Sequence, residues 1–171
     1  MQEGASMDTT VASADAETAA RAWVEGFAAG WRRPGGAEAF AAHFRPMLAP
    51  NVRMHQPQLP TIEGHRAFEE DFVKPLFAWM PDLRGEVERW GSRGDALYIE
   101  LTLHGTLAGR PISWRVCDRI TLRDGVAIER ESYFDPSPLL AAVLRTPRAW
   151  PGFLRLQARS VLANITRRRP R

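Results

Sequence analysis

Between Ile112 and Tyr133 apolar and polar residues follow a strand-like alternation, interrupted at Asp124-Gly125. That dipeptide suits a tight primed turn, so the stretch predicts two antiparallel strands. Ile112, Trp114, Val116, Ile120 and Leu122 share one parity, and Asp118 sits in the middle of the same set. Alternate side chains of a strand line one face, so Asp118 directs a carboxylate into an apolar face.

Upstream the spacing is helical. Ala16, Ala20, Trp23, Val24, Phe27, Ala28 and Trp31 recur on one face, with Asp15 placed to cap the helix and Gly30 near its end. Arg32-Arg33-Pro34-Gly35-Gly36 breaks the pattern, and Phe40, Ala41, Phe44, Met47 and Leu48 predict a shorter helix stopped at Pro50. Asn51 to Gln56 reads as a brief strand and Pro57 to Glu63 as a loop. Gly64 opens a third helix carrying Phe68, Phe72, Leu76, Phe77 and Met80, which Pro75 should kink.

Beyond Pro81-Asp82 the pattern is that of strands: Leu83 to Trp90, Ala96 to His104, and the final hairpin, with turns at Ser92 to Asp95 and near Ala108-Gly109. Helices followed by a strand meander predict an α+β domain in which a curved antiparallel sheet is covered on one face by helices, leaving an apolar cavity between them. Residues 1–14 are small and polar and are expected to be disordered; residues 15–140 form the domain. Residues 141–171 form a basic helical tail, in which Trp150, Phe153, Leu154, Val161 and Ile165 make an apolar stripe opposite Arg155 and Arg159.

Charge sharpens that division. The chain has 171 residues and a formal net charge of +3, but eight arginines and no acid follow Asp135. The remaining 15 basic and 20 acidic side chains leave residues 1–135 at −5. The basic amphipathic tail suits an anionic membrane surface or nucleic acid. The bland alternative, packing on the domain or a partner subunit, is the expectation; no nucleic acid is expected, and membrane contact is the weaker reading. An apolar content of 44%, with six Trp and eight Phe, suffices for a core and a lined cavity. A single cysteine, no long apolar run and no signal-peptide layout at the N-terminus predict a soluble, cytoplasmic protein. Four scattered histidines without ligand spacing argue against a metal site, and glycine-rich phosphate loops and nucleophile elbows are missing from the sequence.

Three local segments add a resemblance: NVRMHQP (Asn51 to Pro57), the run from Gly109 to Asp135 containing CDRITLRDG, and YFDP (Tyr133 to Pro136). With the element order over residues 16–140, they resemble the SnoaL-like branch of the nuclear transport factor 2 superfamily, which includes ketosteroid isomerases, polyketide cyclases and limonene epoxide hydrolases. The resemblance implies a cone-shaped curved sheet packed against N-terminal helices, here with an added basic C-terminal helix. It also implies proton-transfer chemistry without a cofactor (isomerisation, aldol-type cyclisation or dehydration) on an apolar, carbonyl-bearing small molecule.

Carried over by position, the oxyanion-donating acid of the isomerases falls on Asp118. Burial would favour its neutral form, as an apolar site does for that acid in ketosteroid isomerase. Their base falls on Gln56, which cannot take a proton, with His55 beside it. The water-activating carboxylate of the epoxide hydrolases falls on Ser132 and its partners at about Ile99 and Leu101, so those polar roles are lost.

The residues leave alternatives open. Asp118 is an acid or oxyanion donor, or a structural carboxylate paired across the hairpin, for example with Arg130. His55 has the chemistry of a base but shares the outward parity of Arg53. Gln56, on the inward parity, suits orienting a ligand carbonyl. Met54, Trp79, Trp114, Ser132 and Phe134 are candidate pocket residues, with core packing the alternative for the apolar ones. Tyr98, Glu100, Thr102 and His104 form a polar face, either solvated or paired in a homodimer. The other function class is a non-catalytic ligand-binding or dimerisation module whose cavity is filled by its own side chains.

Overall fold

The computed structural model describes residues 4–57 and 59–154. Three helical segments, two before the first strand and one between the second and third, cover one side of a six-stranded, curved, unclosed sheet, an α+β architecture. Helix α1 (Gly4–Arg32) is followed by α2 (Ala37–Phe44), strand β1 (Leu48–His55) and the short β2 (Ile62–Glu63). The next helical segment runs as α3 (Gly64–Ala67), a π-helical turn (Phe68–Val73) and α4 (Lys74–Trp79). Strands β3 (Arg84–Arg93), β4 (Ala96–Leu107), β5 (Arg110–Arg123) and β6 (Val126–Tyr133) form the meander, and α5 (Ser137–Leu144) follows it.

The sheet order is β2-β1-β6-β5-β4-β3. All neighbours are antiparallel except β1 and β6, which run parallel, a departure from the expected wholly antiparallel sheet. β1 and β6 are joined through the helices and the meander rather than a hairpin, so chain connectivity does not impose an antiparallel pair. Both long hairpins turn as their sequences suggest: Ala108-Gly109 and Asp124-Gly125 have φ of 48° and 84°, and 51° and 77°. Positive φ at both central residues is the type I′ requirement that Asp-Gly meets at low cost.

Other boundaries differ from expectation. α1 begins at Gly4 and takes in most of the segment expected to be disordered, well before the Asp15 cap. After Gly4 that segment holds no proline or further glycine, so nothing in it interrupts helix propagation from the anchored part. Pro50 does not end a helix; β1 runs through it. The register of β1 against β6 shifts between Leu48 and Arg53, and Pro50, exposed and without an N–H, falls in that irregularity. The segment expected to be a loop before Gly64 pairs at its end, Met54 with Ile62 and Arg53 with Glu63. Pro75 is accommodated by the π turn before it, which shifts the carbonyl pairing that proline cannot enter. Residues 150–154 are helical, and the stripe positions Val161 and Ile165, like Arg155 and Arg159, lie outside the described residues.

The core lies between the helices and the inner sheet face. Trp31 and Phe44 pack on Phe40 at ring-centroid distances of 4.9 and 4.5 Å, and Phe77 of α4 reaches the same ring at 5.2 Å. Leu97, Ile99, Leu101 and Leu103 of β4 meet them from the sheet, as alternation requires. The outer face carries cross-strand ion pairs, Arg115 with Glu88 at 2.8 Å and Arg89 with Glu100 at 2.7 Å.

Gly85 sets how closely α1 lies on β3. A Cβ there would stand 2.9 Å from Leu103 Cδ2 and 3.2 Å from Trp31 Cβ, whereas one at Gly91 would meet nothing within 4 Å. Gly85→Val is expected to destabilise the protein by about 1–3 kcal/mol through overpacking, and Gly91→Val to stay within about 0.5 kcal/mol of wild type. Urea midpoints of the two variants make the comparison; equal midpoints would show that α1 is not seated on Gly85.

Candidate functional site

Inner-face residues of β4, β5 and β6, together with α4 and the C-terminal segment, enclose an open cavity of ≈ 90 Å³. Trp31, Phe72, Met80, Leu103, Trp114 and Val116 form its buried wall. Pro57, Leu59, Trp79, Leu139 and Phe153 are half-buried and stand at its rim. Apart from the indole N–H groups of Trp31, Trp79 and Trp114, the lining residues that bring polar groups are Gln56, Arg130 and Ser132.

The polar floor is built by the β5–β6 hairpin. Asp118 lies opposite Ser132, and Arg130 lies opposite Ile120, diagonal to Asp118 on the same face. Between Thr121 and Leu122 the register shifts, leaving Ile128 as an extra residue in β6. This bulge reverses the parity beyond Ala127, so that Arg130 and Ser132 turn inward while Glu129 and Glu131 turn to the outer face and Arg119. Asp118, 0% exposed, accepts Arg130 Nε at 2.9 Å and Nη2 at 3.3 Å, and Ser132 Oγ at 2.6 Å. Every contact runs toward the carboxylate, the arrangement of a charged acceptor and not of a neutral acid offering its proton. The Arg130 guanidinium also stands 5.7 Å over the Phe72 ring.

Two donors above this floor are unsatisfied. Gln56 Nε2 and Trp79 Nε1 are buried and make no hydrogen bond, and both residues line the cavity. An unmet buried donor costs about 1–3 kcal/mol, so two in one cavity mark a place for acceptor atoms. Among the described residues the lining holds no Asp, Glu or His. What the arrangement offers a ligand is hydrogen-bond donation and positive potential inside apolar walls, with Asp118 reaching the cavity only through Arg130 and Ser132.

The structure therefore gathers Gln56, Trp79, Trp114, Ser132 and Phe134 around one space and sets Asp118 directly behind it. It does not bring His55 there. The His55 ring lies on the other side of the strand, with Nδ1 3.1 Å from Thr61 Oγ1 and Nε2 3.5 Å from Glu129 Oε1. Met54 is buried in the aromatic core among Trp23, Phe27 and Ile120, away from the cavity. Cys117 points to the outer parity, and burial, then Asp118 and Glu100, push its thiol up, which keeps it protonated near neutral pH. Among the described residues no three His, Cys, Asp or Glu side chains converge as a metal site would need. Arg130 as a cavity residue, and Leu139 and Phe153 as rim residues, go beyond what sequence reading assigned.

Known proteins share this architecture. The family model described as "SnoaL-like domain" matches residues 20–130. Among solved structures, a protein provisionally assigned as a SnoaL-like polyketide cyclase from Jannaschia sp. CCS1 is 24% identical, with 71% of this chain and 88% of that one covered at a TM-score of 0.59. An M. tuberculosis LEH-like epoxide hydrolase is 19% identical over 78% and 95% of the two chains, at 0.60. A Catenulispora acidiphila protein with a ketosteroid isomerase-like fold, solved in complex with trimethylamine, is 17% identical over 70% and 89%, at 0.60. At these identities the likeness concerns the fold. A search of curated proteins finds no match.

The ion pair under the cavity makes a testable demand. Arg130→Met leaves Asp118 buried and unpaired and should cost about 3–5 kcal/mol, whereas adding Asp118→Leu should restore most of it. Equilibrium unfolding of both variants decides the matter. A double variant no more stable than Arg130→Met would show that the two side chains do not act as a unit.

Proposed function

The chain belongs to the SnoaL-like domain family, and on that premise we propose that it binds an apolar small molecule through a carbonyl-type oxygen. The observation that carries this reading is the pair of unmet donors, Gln56 Nε2 and Trp79 Nε1, inside an otherwise apolar cavity. Arg130, held by Asp118, supplies a fixed positive charge at the floor, and a ligand oxygen that gains negative character is favoured there. The cavity's open mouth favours a ligand over a module whose interior is filled by its own side chains. With no Asp, Glu or His among the described residues of the lining, the site suits binding and polarising a carbonyl more than direct proton abstraction by a side chain.

One contact supports a catalytic extension of the same reading. Ser132 Oγ lies 2.6 Å from Asp118 Oδ1 and borders the cavity, so Ser132 can take a ligand proton as it hands its own to the carboxylate. Isomerisation, aldol-type cyclisation and dehydration all begin with such a transfer next to a carbonyl. Ser132→Ala, which removes the relaying hydroxyl and leaves the Asp118–Arg130 pair in place, separates the extension from simple binding: ligand affinity kept with turnover lost supports the relay, and turnover kept overturns it.

Tryptophan fluorescence gives a direct assay, because Trp31, Trp79 and Trp114 line the cavity. With 4-phenylcyclohexanone and its hydrocarbon counterpart phenylcyclohexane as probes, the ketone is expected to bind about tenfold more tightly, the worth of one or two neutral hydrogen bonds. Gln56→Leu and Trp79→Phe should each narrow that gap. Equal affinities for ketone and hydrocarbon would overturn the carbonyl assignment, and saturation by neither would overturn the cavity as a ligand site.

A further inference from the structure

The large apolar side chains exposed among the described residues are Tyr98, Tyr133, Leu144, Trp150 and Leu154. The tyrosines lie on the sheet. The other three belong to the C-terminal segment, with Leu144 at 69%, Trp150 at 45% and Leu154 at 61% exposure. The same segment is firmly seated on its inner side. Val143 is buried against Leu107, Phe153 packs on Trp79 at 5.8 Å, and Trp150 Nε1 donates to the Val143 carbonyl at 2.9 Å. A Cβ at Gly152 would come within 2.8 Å of the Trp79 ring, another mark of close seating. A segment held this way on the cavity rim, yet presenting two leucines and a tryptophan outward, is two-faced by construction.

Charge indicates what the outer face meets. Arg145 and Arg148 are exposed beside it, and the chain continues with Arg155, Arg159 and the run Arg167 to Arg169 and Arg171, with no acid after Asp135. The preceding 135 residues carry −5, so an anionic surface is attracted to this end of the sequence and repelled by the rest. The expectation from sequence is packing on the domain or a partner subunit: packing on the domain accounts for Val143, Leu139 and Phe153 but leaves the outer leucines unexplained, and a partner subunit of the same charge would cover the leucines while setting arginine against arginine. Nucleic acid would use the arginines and the Trp150 ring but gives Leu144 and Leu154 nothing to bury in. No helix among the described residues is long and apolar enough to cross a membrane, and the outward leucines and tryptophan suit the headgroup boundary.

We propose that the C-terminal segment is a docking surface for an anionic lipid bilayer, with Leu144, Trp150 and Leu154 entering the headgroup boundary and Arg145 and Arg148 meeting lipid phosphates. Leu139 and Phe153 of the same segment stand at the cavity rim, so docking places the mouth against the bilayer. An apolar ligand then enters from lipid instead of from water. This last step rests on the ligand-binding reading above; the docking itself does not.

The test uses the full chain and vesicles of phosphatidylcholine with or without about 30% phosphatidylglycerol, read by co-sedimentation and by the tryptophan emission shift. Partitioning is expected to be at least about tenfold stronger on the anionic vesicles and to fall by about tenfold when salt rises from roughly 50 to 300 mM. Leu144→Gln with Leu154→Gln, at exposed sites that leave the unfolding midpoint in place, should weaken it by about tenfold or more. Failure of the wild type to bind anionic vesicles overturns the proposal. So does vesicle binding that ignores the leucine substitutions, and tight binding of a DNA duplex beside it would reassign the arginines to nucleic acid. Ketone binding in solution with no vesicle binding would sink docking and the entry route and leave the ligand-binding reading in place, and the reverse result would sink that reading and the entry route and leave docking in place.

Discussion

The buried pairing of Asp118 with Arg130 is the constraint around which the cavity is arranged. Removing both charges from water costs several kcal/mol for each ion, and the fold offsets that with a two-point contact, a third hydrogen bond from Ser132 and the Phe72 ring face against the guanidinium. A well-packed apolar pair would serve stability as well or better. What an apolar pair cannot supply is a positive, hydrogen-bonding floor in a chamber otherwise walled by Trp, Phe, Leu, Met and Val. The pair also fixes where its cation points: Nε and Nη2 are held by the carboxylate, and the guanidinium borders the cavity.

The single extra residue at Ile128 is what makes this pair possible. With an unbroken alternation from Ala127, Glu129 and Glu131 would face the core in place of Arg130 and Ser132, setting two more carboxylates beside Asp118. The bulge turns them to the outer face, where Glu129 and Glu131 meet Arg119 at 3.7 Å each and Glu129 also reaches His55. One local irregularity therefore assigns like charges to solvent and opposite charges to the floor.

Much of this was legible from spacing. The parity of β5 placed Asp118 inward, the aromatic repeat of α1 placed Trp23, Phe27 and Trp31 in the core, and Asp-Gly marked the hairpin. The inward parity of Gln56 and the outward parity of His55 also agree with the structure, and that agreement separates His55 from the cavity. Illegible features depend on partners far along the chain. Pro50 reads as a helix stop until the slip between β1 and β6 shows where a residue without an N–H can sit. The neutral-acid reading of Asp118 followed from burial alone, and only the three donors around it favour the charged form. Phe153 carries no local sign that it will meet Trp79; its spacing marks a helix face and not what that face covers.

The two ends of the cavity are linked through Trp79. At the floor, polarity is enclosed and saturated on the carboxylate side, so it acts on a ligand as a fixed field. At the rim, Trp79 is held between Phe153 and the body with its N–H unmet, so the C-terminal segment that shapes the mouth also sets one of the two free donors in place. A movement of that segment would change the width of the opening and the aim of the Trp79 N–H together. The width of the mouth and the direction of a free donor are thereby coupled through one ring.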